Sequence, residues 1–236
     1  MVLTHLRQEL HAAVKPGKKQ ILQNFFKTGP DQYAEGDVFL GVMVPDARRV
    51  ARQFIHLPEG EIRTLLKSKV HEERLVALLI LVERFQQAEE KKRQEIINFY
   101  WMHLDAVNNW DLVDLTAPKI VGDFFLTKDR GMLYHLAYSK NVWERRIAII
   151  ATYTFIKQNQ FQDTLKIAEI LMQDKHDLIQ KAVGWMLREV GKKDQKVLER
   201  FLKKHATHMP RTMLRYAIER FPEKQRKEYL QKHAKV

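Results

Sequence analysis

The chain reads as all-α: helical hairpins stacked into a right-handed solenoid. Three observations predict this. Apolar residues recur at three-to-four spacing nearly everywhere, and convincing period-two strands are absent. The nine Gly and seven Pro cluster at apparent junctions, not inside periodic stretches. A register also emerges when Arg74, Trp110, Arg146, Lys181 and Arg211 are aligned as helix starts, at spacings of 36, 36, 35 and 30. The runs after three of them are alike: Leu75-Val76-Ala77-Leu78-Leu79, Ile147-Ala148-Ile149-Ile150 and Ala182-Val183-Gly184-Trp185-Met186. Such a period means units that bury their apolar faces only against neighbours.

The Trp-Leu-Gly-Tyr pattern of tetratricopeptide repeats and the ankyrin turn motif are missing, which leaves the degenerate HEAT-like class. We read roughly twelve to fourteen helices with short connectors in one domain, residues 1–236. Val70–Phe85, Trp143–Lys157, His176–Val190 and Pro210–Phe221 are predicted amphipathic helices. Asn109 before Trp110, and Asp177 before Leu178, are start signals, and Pro118 and Pro210 suit first-turn positions. Thr28–Asp37, with its Gly-Pro pair and acids, reads as a loop: a surface connector, or a segment that closes over a ligand. In a solenoid, equivalent positions line one concave face. Four of the five register positions are basic and the fifth is Trp110.

The 41 Lys/Arg against 29 Asp/Glu leave a formal charge of +12. Residues 181–236 hold 16 of the basic and only 6 of the acidic residues, so most of the excess lies in the last quarter. That imbalance points to polyanions, with nucleic acid ahead of membrane; a solvated helical surface is the plainer alternative. The absence of cysteine excludes disulfides, thiolate metal sites and a Cys nucleophile, and fits a reducing cytosol. The N-terminal twenty residues hold no apolar signal core and no later run approaches ~18 apolar residues, so a soluble, cytoplasmic protein is expected.

Trp110 and Asp114, four apart on a helix, share a face; a core Trp beside a solvated Asp would give the same spacing. Asp111 reads as a first-turn acid favourable to the helix dipole, with no chemistry of its own. Arg146 falls between Ile150 and Tyr153 on a largely apolar helix, so its guanidinium must snorkel, pair with an acid or meet a phosphate. Arg145 points elsewhere, to the surface. Trp185 lies roughly 120° from the stripe Ile179-Ala182-Val183-Met186-Val190, towards Lys181 and Arg188. It suits an aromatic platform for nucleic acid, or packing against the adjoining repeat. There is no Gly-rich phosphate loop, no His-Glu-x-x-His and no plausible serine triad. His205 and His208 lack carboxylates at ligand spacing, so neither a metal nor a cofactor is expected.

Several segments together carry a resemblance: Trp110-Asp111-Leu112-Val113-Asp114, Gly122-Asp123, Trp143-Glu144-Arg145-Arg146 and Gly184-Trp185-Met186-Leu187-Arg188-Glu189. Gly41-Val42, Val44-Pro45 and Arg48-Arg49 add an N-terminal element. The chain resembles, over most of its length, the bacterial DNA alkylation repair family of HEAT-like, AlkD-type DNA glycosylases. The resemblance implies excision of cationic alkylpurines, chiefly 3-methyladenine and 7-methylguanine, from double-stranded DNA by a monomer. Asp114 falls at the family's catalytic carboxylate, Trp110 and Trp185 at its active-site aromatics and Arg146 at its active-site arginine. Arg188 falls at a DNA-contacting arginine; Lys181, Arg48 and Arg49 are further expected DNA contacts. The family's lesion stays largely within the duplex. The acidic Gly-Pro segment 28–37 departs from the best-known members, and Met43 stands where some have a polar side chain. The rival reading is a non-catalytic solenoid that binds DNA or a protein partner.

Overall fold

The computed structural model describes residues 2–233. Among them the regular structure is helical, apart from one isolated parallel bridge between Val38 and Val70. No described helix is long and apolar enough to cross a membrane. The chain forms two compact units, one ending at Thr116 and the other beginning at Ala117.

The first unit is organised by the helix His71–Gln87, of which 13 of 17 residues are buried. A helix apolar almost all round is stable only when surrounded. Val44–Gln53, Glu59–Leu66, Glu90–Met102 and Trp110–Thr116 pack around it. Each Leu, Ile or Val sealed there contributes roughly 1.5–3 kcal/mol of burial. Its first turn, His71-Glu72-Glu73-Arg74, is buried as well, and buried polar groups need partners. Glu72 accepts from the backbone amides of Leu40, Gly41 and Val42, with Oε1 2.9 Å from the Gly41 nitrogen. Glu73 takes both arms of Arg7 at 2.9 and 3.0 Å. Arg74 donates to Asp37 Oδ1 at 2.7 Å and to the Ser68 carbonyl at 2.8 Å. Arg74 therefore does not line a shared surface as the register predicts. It is 3 % exposed, because the start of a fully surrounded helix has no solvent face.

In the second unit Val142–Ala151 packs on Gly131–Ala137 and on Asp177–Lys193, which in turn packs on Gln195–His205 and Arg211–Ala217. Close packing sets the positions of two motif glycines. A Cβ at Gly184 would sit 2.5 Å from both the Met213 carbonyl oxygen and Tyr216 Cβ. One at Gly122 would sit 2.4 Å from the Ala151 carbonyl oxygen. The predicted helix Trp143–Lys157 is broken: Thr152 Oγ1 donates to the Ile149 carbonyl at 2.7 Å, a local bond that competes with the helical ladder, and the chain re-enters helix at Tyr153–Lys157. His176, not Asp177, caps the Asp177–Lys193 helix, its Nδ1 accepting from the Leu178 amide at 3.2 Å. The segment predicted as Pro210–Phe221 is helical over Arg211–Ala217, with Pro210 as its cap. Arg145 is also corrected: it is bound to Asp174 at 2.6 Å and to the Ser139 and Lys140 carbonyls, with little of it left to solvent.

Candidate active site

The helix Trp110–Thr116 is started by Asn109, whose Oδ1 accepts from the Trp110 amide at 2.8 Å. The four-residue spacing does what it predicts: Trp110 and Asp114, both half-buried, line one cavity of about 250 Å³ within the first unit. Phe25 and Phe26 lie at one wall and Val42, Met43 and Val44 at another. The cavity's aromatic side is a stack. Phe39 lies on Phe26 at 4.9 Å and 23°, and Phe26 lies on Trp110 at 4.9 Å and 10°. Phe25 meets the indole edge-on at 5.7 Å. One indole face is thus occupied by Phe26, so a ligand must meet the other face or an edge.

Behind Trp110 lies a buried charge relay. Asp111, read from sequence as a bystander, is 5 % exposed and accepts from His71 Nε2 at 2.8 Å. His71 Nδ1 lies 3.3 Å from Asp37 Oδ2, which also accepts from Asn109 Nδ2 at 3.3 Å. Burial alone would lower the His71 pKa, but the charge and hydrogen bond of Asp111, with the bond to Asp37, raise it to about 9. The imidazole is therefore a cation at neutral pH. Burial pushes Asp37 up, yet His71 and Arg74 outweigh it and leave the carboxyl below its ordinary value. The relay fastens segment 28–37 at its last residue, and Tyr33 and Ala34 pack with Phe26, Phe39 and Trp110. The segment is neither a loose connector nor a free flap.

The remaining expected site residues belong to the second unit. Arg146 is buried, and its Nη1 donates to the Leu178 carbonyl at 2.6 Å. Trp185 is half-buried, tilted against Tyr153 at 6.3 Å, with Nε1 donating to Glu189 Oε1 at 3.1 Å. Glu189 also gathers Lys192 at 2.8 Å and Arg188 at 3.4 Å, while Arg188 bonds Glu219 as well. Lys181 pairs with Asp177 at 2.6 Å. Trp185, Lys181 and Arg188 thus share one helix, with Glu189 fixing the indole.

In the first unit Arg48 and Arg49 stand on the helix Val44–Gln53. With Arg52 and Pro45 they line an open depression. Arg48 lies 4.0 Å from Glu83, and the more exposed Arg49 lies 3.6 Å from Asp46. His205 Nε2 is 3.1 Å from Glu169 Oε1, and no group of three or more metal-capable side chains converges among the described residues.

Sequence reasoning missed Asp37, His71, Glu72, Glu189 and the Phe25-Phe26-Phe39 wall. One signal was available: four ionisable residues in a row, His71 to Arg74, open a helix that is apolar for the next eight positions. Such a turn has to be met by partners of opposite charge from elsewhere in the chain.

A family model described as DNA alkylation repair enzyme matches residues 6–221. A solved structure from Enterococcus faecalis, titled a predicted DNA alkylation repair enzyme, superposes with a TM-score of 0.67 at 17% identity. It covers 89% of this chain and 97% of that one. At that identity the likeness speaks for a shared helical-repeat fold. No curated protein matches the sequence.

Proposed function

The chain belongs to the DNA alkylation repair enzyme family, and from that membership we propose that it is a monofunctional DNA glycosylase. It would hydrolyse the N-glycosidic bond of cationic alkylpurines, 3-methyladenine and 7-methylguanine above all, in double-stranded DNA, acting as a monomer. Alkylation at N3 or N7 leaves the purine positively charged, so it departs as a neutral base with the bonding electron pair and needs no strong general acid. Positive charge then develops on the sugar. Asp114 stabilises that oxocarbenium character and orients the water that attacks C1′, whose proton passes to the carboxylate or to solvent. Trp110 and Trp185 offer electron-rich rings to the cationic sugar edge. Arg146 meets a flanking phosphate with the part of its guanidinium not committed to Leu178. Lys181, Arg188, Arg48 and Arg49 supply further backbone contacts, which position the duplex without reading sequence.

The observation that carries this reading is the placement of Trp110 and Asp114 on one cavity wall, in a member of an alkylation repair family. The test is to incubate the purified protein with duplex DNA treated with a methylating agent and assay for free methylated bases. Release of 7-methylguanine and 3-methyladenine is expected. DNA binding without release would favour a non-catalytic, DNA-binding solenoid, and neither would favour a protein-binding one.

A further inference from the structure

The cavity beside Asp114 is more than a wall for a sugar. Its size is about 250 Å³. At roughly 30 Å³ per water of liquid that is about eight waters' worth, room for one flat bicyclic base but not for a nucleotide. Its walls are aromatic and aliphatic. Its acids, Glu72, Asp111 and Asp114, outnumber its one cationic side chain, His71, whose charge is already shared between Asp111 and Asp37. No Lys or Arg lines it. Flat aromatic surface with an excess of carboxylate favours a flat cation, since ring faces attract positive charge and the local dielectric is low. Val44 belongs both to this cavity and to the depression lined by Arg48, Arg49 and Arg52, so an anion site adjoins the rim. Phe25, 61 % exposed, stands at that rim.

The two places where the chain departs from the best-known family members both belong to this cavity. Met43 lines it, and segment 28–37, tied down by Asp37, supports the Phe26–Phe39 stack that forms its aromatic side. We propose that the cavity is a base pocket: it receives the alkylated purine cation itself, drawn out of the base stack, while the Arg48–Arg52 face takes the flanking phosphates. The proposal deepens the glycosylase reading and rests on it for the origin of the ligand. A pocket that selects charge also excludes undamaged purines, which are neutral and gain nothing from the carboxylates.

The test uses the full-length protein without DNA. Titration calorimetry with the 7,9-dimethyladeninium cation is compared with neutral 9-methyladenine. Saturable one-to-one binding of the cation is expected, at least about tenfold tighter than the neutral base. Met43→Trp, which fills the cavity, should weaken it by a similar factor. Phe25→Ala, at an exposed position that folding does not need, should weaken it too, with an unchanged thermal melt. Absence of saturable cation binding, equal binding of the two bases, or indifference to both variants overturns the pocket. Run beside the base-release assay, the outcomes separate: release without cation binding sinks the pocket and leaves the glycosylase, whereas cation binding without release supports the pocket and sinks the glycosylase.

Discussion

His71 Nε2 donates to Asp111 Oδ2 at 2.8 Å in the interior, directly behind the residue pair that lines the cavity. The bond makes the position of the Trp110–Thr116 helix depend on a proton. The His71 pKa in the folded protein, about 9, lies above the 6.5 of the free side chain. A raised pKa means the folded state holds the proton more tightly, so the stabilisation is complete below about 6.5 and is lost as pH rises through about 9. Thermal melts recorded from pH 6 to 9.5 should therefore show Tm falling across that window. In His71→Gln the starting Tm should be lower and this part of the fall absent. A wild-type Tm that is flat from pH 6.5 to 9 would contradict the charged relay.

Asp37 holds Arg74 and His71 together, so its removal leaves two cations buried with one fewer acceptor. Breaking a buried ion pair from one side costs about 3–5 kcal/mol. Asp37→Ala should lose stability on that scale in urea unfolding. The exposed neighbour substitution Glu35→Gln should stay within about 0.5 kcal/mol of the wild type. Equal, small effects for both would show that segment 28–37 is held by its aromatic contacts alone.

These two residues also mark the limit of what the sequence discloses. Periodicity is a local signal, so the helices around Leu75–Leu79 and Ile179–Val190 were legible, as was the shared face of Trp110 and Asp114. The Arg74–Asp37 pair spans 37 residues and leaves no local trace. Arg74 looked like a surface cation because the register counts positions and knows nothing of what surrounds a helix. Asp111 was misjudged for the same reason: a first-turn acid at the surface and one bonded to a buried imidazole have the same spacing. The break at Thr152 was hidden because its cause is a single hydroxyl turned onto its own backbone. Glu189 was quoted within the Gly184–Glu189 motif, yet its grip on the Trp185 indole needed coordinates.

Asp114→Asn keeps size and hydrogen-bonding capacity but removes the negative charge. If the carboxylate stabilises the sugar cation, single-turnover release of 7-methylguanine should slow by roughly 100-fold or more, the usual scale for such a group. Affinity for undamaged duplex should change little. Release at the wild-type rate would remove Asp114 from the mechanism, whatever else the cavity does.

Arg49 and Arg48 stand side by side on the helix Val44–Gln53 but are not equally available. The Arg48 side chain is 22% exposed beside Glu83, whereas that of Arg49 is 52% exposed and answers only to Asp46 at 3.6 Å. A phosphate competing for Arg49 has to displace one weak, solvent-screened pair, which is worth about 0–1 kcal/mol. Each phosphate neutralised by a side chain releases counterions and steepens the dependence of log Kd on log salt by about 0.9. Arg49→Ala should therefore weaken duplex binding and flatten the salt slope by about one, measured by fluorescence anisotropy between low and physiological salt. Asp46→Asn should do the opposite to affinity, because it frees Arg49 and removes a negative charge from the same face. If Arg49→Ala leaves the slope untouched while Arg48→Ala flattens it, the phosphate track runs along the Glu83 side of the helix instead.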